Sequence, residues 1–169
     1  MKFKNLNEVI LDKNINLIVG LNNSGKTEFI KEIVKSMDGI PLYITGNKTF
    51  TVIKDLITAE LQSQKYVIVI DNFCEGLDYQ NTDKLTNFIL DKVIGSKIKL
   101  VMATNSKEVM NIIPIKFWQI CVKEHNEIKI YNQNNSQKYF EDFEEIGLTN
   151  FDFFRFDFFT KGWFENVTI

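Results

Sequence analysis

The chain has little that could ligate a metal or form a cross-link. His125 is its single histidine, and Cys74 and Cys121 are its only cysteines. One histidine excludes a multi-histidine metal cluster, and two distant cysteines make no zinc spacing. Free thiols of this kind fit a reducing, cytoplasmic setting. A basic surplus is also missing, since the net charge is −2. That argues against a general nucleic-acid binder, although it leaves room for a local basic patch, so any nucleic-acid contact is expected to be indirect. The clearest apolar run is Val67 to Ile70, with Tyr66 before it, too short to cross a bilayer. The opening MKFKNLNEVIL has lysines but no long apolar segment after them, so it does not read as a secretory signal. Arginine is almost absent, with Arg155 the only one.

What is present suits one α/β domain over residues 1–169. The chain is 44% hydrophobic and 25% charged, enough to bury a sizeable core and stay dissolved. Ile15 to Val19 reads as a buried strand ending at Gly20. Ile30, Ile33, Val34 and Met37 then recur at helical spacing, with Gly39 as a stop signal. Pro41 to Thr45 reads as a strand, and Ile53, Leu56, Ile57 and Leu61 mark a second helix. Tyr66 to Ile70 is a strand of the kind buried on both faces in a parallel sheet. Leu85, Phe88, Ile89 and Val93 mark a third helix before Gly95, and Ile98 to Thr104 is another strand. This alternation predicts a mainly parallel sheet flanked by helices. From about residue 115 the character changes. Phe117 to Val122 and Ile128 to Tyr131 read as an added β-hairpin with His125 in its turn. Gln137 to Ile146 reads as a short helix. The aromatic FDFFRFDFF, Phe151 to Phe159, closes the core or offers a docking patch; as a helix it would align Phe151, Phe154 and Phe158.

The stretch GLNNSGKT, Gly20 to Thr27, fits the phosphate-binding pattern G-x-x-x-x-G-K-[ST]. Such a loop must curl so that successive backbone N–H groups point inward, and glycines permit that curvature. The following helix aims its positive dipole end at the phosphate. Gly20, Asn22, Asn23, Ser24, Gly25 and Lys26 are the candidate phosphate holders, and Thr27 offers a hydroxyl to Mg²⁺. The plainer alternative is a glycine turn before an ordinary helix. A buried strand leading in and an amphipathic helix leading out favour the cradle. Asp71, at the end of YVIVI, is the expected second metal partner, against the alternative of an aspartate that merely caps a turn.

The opening KFKNLNEVILDKNINLIVGLNNSGKT resembles that of ABC-type ATPases of the chromosome-maintenance and recombination-repair branch. It is also similar to small AAA/ABC-like ATP-binding proteins of bacteria, many of them linked to phage defence. In that group a first strand pair precedes a loop of the form G-x-N-x-S-G-K-[ST]. The resemblance extends to VIVIDNFCEGLD, where Asp71 takes the Walker B position and Gly76, Leu77 and Asp78 the D-loop. It also covers the switch strand, LVMATNSKEVMNIIP, with Thr104, Asn105 and Ser106 in place of T-H-S. It implies a P-loop NTPase fold with ATP and Mg²⁺ as cofactors, and a protein partner or dimer.

The departures bear on catalysis. Asn72 stands where the family has a water-polarising glutamate, and an amide is a poor proton acceptor. Asn105 replaces the switch histidine. Glu75 is a candidate substitute carboxylate, set against the simpler role of a solvated loop acid. Only residues 28–70 separate Thr27 from Asp71, too few for the family's signature-bearing arm. The expectation is an ATPase with slow or partner-dependent hydrolysis. The alternatives are a non-hydrolysing, nucleotide-gated interaction module and a small-molecule kinase, the last disfavoured by the scarcity of arginine.

Overall fold

Strands rich in apolar residues at successive positions need cover on both faces, because their side chains alternate in direction. The computed structural model describes residues 2–6, 9, 14–45, 54, 57, 58 and 66–161, and it meets that demand. Strands β1 (Lys2–Phe3), β2 (Ile15–Val19), β3 (Ile40–Thr45), β4 (Tyr66–Asp71), β5 (Lys99–Thr104), β6 (Trp118–Glu124) and β7 (Glu127–Tyr131) form one sheet. Its order is β1-β7-β6-β2-β5-β4-β3. Every neighbouring pair is parallel except the β6–β7 hairpin. The chain is thus α/β, with a mainly parallel sheet, flanking helices and an added hairpin.

The helices whose full extent lies among the described residues are α1 (Lys26–Val34), α2 (Tyr79–Val93), α3 (Lys107–Ile112), α4 (Gln137–Glu144), α5 (Asn150–Arg155) and α6 (Phe158–Lys161). Helix α1 covers one face, where Phe29, Ile30 and Ile33 pack on Ile18, Val67, Val69 and Val101. The other face carries Ile15, Leu17, Val19, Ile68 and Ile70 against Leu85 and Ile89 of α2 and Val109 and Met110 of α3. Of the expected second helix, Ile53, Leu56 and Leu61 lie outside the described residues, while Ile57 is helical and buried.

Pro41 sits in β3 because, among the described residues, β3 closes the sheet and pairs only with β4. A proline cannot donate to a ladder, so an edge strand accommodates it. At the opposite edge β1 pairs with β7. Asn5 holds the opening segment there. Its side chain donates to the Ile130 carbonyl at 2.7 Å and accepts from the Ile130 N–H at 2.9 Å, mimicking one more strand residue.

The aromatic tail closes the core, but not as one element. A left-handed residue, Asp157 (φ 53°), separates α5 from α6. Phe153 and Phe159 are fully buried; of the stripe expected of one helix, Phe158 is buried as well, whereas Phe151 and Phe154 are only partly covered. Phe153 is the hub. Its ring lies 4.6 Å from Phe140, 4.9 Å from Phe143 and 6.3 Å from Trp118, all at tilted or edge-on angles that aromatic pairs favour.

Candidate functional site

The Gly20–Thr27 loop leaves the carboxyl end of β2 and curls back into α1. Gly20 permits the first bend through size. A Cβ there would sit 2.3 Å from Ser24 Oγ and 2.6 Å from the Cys121 carbonyl oxygen of β6. The curl itself uses left-handed residues, Asn23 (φ 62°) and Gly25 (φ 91°), the types that adopt this region most readily. Ser24 N–H donates to the Leu21 carbonyl at 3.1 Å and sets the turn. Gly25 supplies no side-chain cap to α1, so the helix begins with first-turn N–H groups that it cannot bond internally.

Lys26 is buried. Its ammonium donates to the carbonyls of Gly20 and Leu21, each at 2.9 Å. Burial pulls its pKa below the ordinary lysine value, and the nearby Asp71 carboxylate opposes that shift. Thr27 Oγ1 donates to Asp71 Oδ2 at 2.7 Å, joining positions 44 apart in sequence. The other Asp71 oxygen accepts from the Asn72 N–H at 3.0 Å, which fixes the carboxylate's direction. Asn72 takes a left-handed conformation (φ 54°) as the chain leaves β4.

Strand β5 lies between β2 and β4, so the loop and Asp71 meet above its carboxyl end. The end of β4 is tied there. Phe73 N–H donates to the Ala103 carbonyl at 2.7 Å, and Thr104 Oγ1 donates to the Phe73 carbonyl at 2.9 Å. Ser106 caps α3 through the Val109 N–H at 3.3 Å. Between them Asn105 reaches across to the loop, donating to Asn22 Oδ1 at 2.6 Å. The helices that follow β2 and β5 go to opposite faces of the sheet, α1 to one and α3 to the other. A crevice at the carboxyl ends of two such strands is where open α/β sheets bind ligands.

A cleft of about 700 Å³ opens at this point. Asn22, Asn23, Ser24, Gly25, Lys26 and Thr27 line it together with Asn72 and Asn105. Gly20 underlies it, and Asp71 reaches it through Thr27. Ser24 Oγ is turned inward, buried and without a hydrogen-bond partner, so the residue offers the cleft its backbone. Glu75 is not brought into the cleft. It is exposed and lines a neighbouring cavity of about 320 Å³, which shares Asn72 and Asn105 as a wall. Asp78 caps α2 instead, accepting from the Asn81 N–H at 2.9 Å, which holds its carboxyl below the usual range.

Sequence reasoning missed three charged residues of these two cavities, one of them Glu28, which lines the cleft from the first turn of α1. Lys123 lines the cleft because β6 lies beside β2 in the sheet, a neighbourhood that the chain order conceals. Glu108 lines the Glu75 cavity. Hydrogen bonds from its own backbone N–H and from the Ser106 hydroxyl hold its pKa below the ordinary value, with the hydroxyl at 2.8 Å.

Chemically, the cleft joins an uncapped helix N-terminus, a lysine bonded to neutral carbonyls, and a hydroxyl–carboxylate pair. The first two suit an anion such as a phosphate chain. The third suits Mg²⁺, which takes one or two protein oxygens and completes its shell with water and phosphate. Among the described residues no group of three or more His, Cys, Asp or Glu side chains could hold a metal by itself. No helix among them is long and apolar enough to cross a membrane. No protein-family model matches the chain, and no curated protein matches it.

Proposed function

We propose that this protein binds Mg²⁺–ATP in the Gly20–Thr27 cleft as a minimal P-loop ATPase. The observation that carries the reading is the Thr27–Asp71 hydrogen bond at 2.7 Å, formed beside Lys26 and the uncapped start of α1. The likeness of GLNNSGKT and VIVIDNFCEGLD to segments of ABC-type ATPases supports the same class. Backbone N–H groups of the loop and first helical turn bind the phosphates. Lys26 exchanges its carbonyl partners for phosphate oxygens. Thr27 and Asp71 would hold Mg²⁺, which would supply positive charge to the phosphate chain. Asn105, already bonded to Asn22, is placed to orient the terminal phosphate.

Hydrolysis is slow or depends on a partner protein. Asn72 can orient water but accepts a proton poorly, and Glu75 lies outside the cleft. The same observation favours the second reading, a nucleotide-gated interaction module that binds without turnover. Calorimetric titration with Mg²⁺–ATP tests the binding, and phosphate release tests the turnover. Lys26→Ala is expected to weaken binding about a hundredfold or more, since it removes a charge-assisted contact. Turnover abolished by Lys26→Ala supports the ATPase, and tight binding without turnover supports the module. Absence of binding to any nucleoside triphosphate sinks both.

A further inference from the structure

A second cavity of about 620 Å³ adjoins the cleft and shares Asn22, Asn23, Ser24 and Lys123 with it. Its character is different. Val122 of β6 and Phe151, Phe154 and Phe159 make it largely apolar and aromatic. The rings of Phe154 and Phe159 are nearly parallel (13°), with centroids 6.3 Å apart. Leu21, at the tip of the loop, also lines it and is 73% exposed. A leucine left so open beside aromatic rings is apolar surface for a flat ligand to cover.

We propose that this aromatic cavity holds the nucleobase of the nucleotide whose phosphates occupy the cleft. The inference rests on the nucleotide-binding reading above and names the part of the ligand that reading leaves unplaced. Direction supports it. On that reading Thr27 and Asp71, which are hydrogen-bonded at 2.7 Å, would hold the metal and the phosphates next to it at the Thr27 end of the cleft. Neither Thr27 nor Asp71 lines the aromatic cavity. The aromatic cavity meets the cleft at Asn22, Asn23, Ser24 and Lys123 and includes neither Asn72 nor Asn105, so a nucleoside leaving the phosphates on that side enters it. Chemistry supports it too. An uncharged, flat base stacks on phenylalanine faces whatever its sequence of polar edges. Arg155, the chain's only arginine, lines the same cavity and lies 5.2 Å from the Phe156 ring, so a planar cation borders the site.

The test compares Mg²⁺–ATP with Mg²⁺–tripolyphosphate, which has the phosphates and no nucleoside. Binding is titrated on the full chain and on the Phe154→Ala and Leu21→Ala variants. Wild type should bind ATP about tenfold or more tighter than tripolyphosphate, the scale of one lost base stack. Phe154→Ala should erase most of that difference and leave tripolyphosphate binding within about twofold. Leu21 is exposed, so Leu21→Ala leaves the fold intact and reads the cavity even if Phe154→Ala loosens the core. It should weaken ATP alone, by about threefold. Equal wild-type affinities for the two ligands overturn the base site while leaving the phosphate cradle standing. So does an equal loss of both ligands in Leu21→Ala. Failure of wild type to bind either ligand overturns the nucleotide reading itself, and the base site with it.

Discussion

Gly20→Ala is the substitution whose outcome depends most directly on the tertiary packing. The added methyl would meet Ser24 Oγ at 2.3 Å and the Cys121 carbonyl oxygen at 2.6 Å. The two neighbours differ in what they can give. Ser24 Oγ has no hydrogen bond to lose, so its side chain can turn away. The Cys121 oxygen belongs to the backbone of β6, which is paired to β2 on one side and β7 on the other. It cannot retreat without shifting the ladder, so the loop must move instead. Overpacking of this kind costs about 1–3 kcal/mol. For a chain of this size that lowers the melting temperature by about 2–12 °C. The loop shift should also weaken nucleotide binding, since the cradle starts at this residue. Thermal melting by circular dichroism and an ATP titration read both effects. Adding Ser24→Ala should recover less than half of the lost stability, because the backbone contact remains. A Gly20→Ala protein that melts within about one degree of wild type and binds ATP unchanged would refute the reasoning. Gly95→Ala makes a useful contrast. Nothing lies within 4 Å of its added methyl, but φ is 79°, so its cost of about 1–2 kcal/mol comes from backbone conformation alone.

Three other outcomes test separate parts of the account. Phe153→Ala removes the hub of the aromatic cluster and should cost about 3–5 kcal/mol in urea unfolding; a loss below about 1 kcal/mol would show that the tail is not integral to the core. Asn72→Glu supplies the missing carboxylate and should raise phosphate release. The left-handed backbone at 72 makes the variant less stable by about 1–2 kcal/mol, and unchanged turnover would place the limit elsewhere. Burial pushes the Cys74 thiol up to about 12 and the Cys121 thiol higher still. Both should therefore resist a thiol–disulfide reagent at pH 8 in the native protein and react fully in urea, since the thiolate is the reactive form. Rapid labelling of the folded chain would contradict that burial.

The order of elements along the chain was legible because its causes are local. Apolar runs bounded by glycine, and apolar positions at helical spacing, marked β2 to β5, α1 and α2 to within a residue or a few. The loop GLNNSGKT was legible for the same reason: its glycines and lysine must stand at fixed offsets for the backbone to curl. Chain order also placed an aspartate at the end of a buried strand. It could not show that Asp71 and Thr27 would touch, because that contact spans β5 and depends on the sheet order. The same limit hid Lys123, which reaches the cleft only because β6 crosses to the far side of β2. It left Glu75 unplaced, since the turn after β4 determines which cavity its side chain enters. In FDFFRFDFF the composition specified burial, but not which rings. The left-handed break at Asp157 and the positions of Phe140, Phe143 and Trp118 selected Phe153, Phe158 and Phe159 for the core. Local periodicity thus determined the elements and the phosphate-binding pattern, whereas contacts between residues distant in sequence decided the shape and membership of the site.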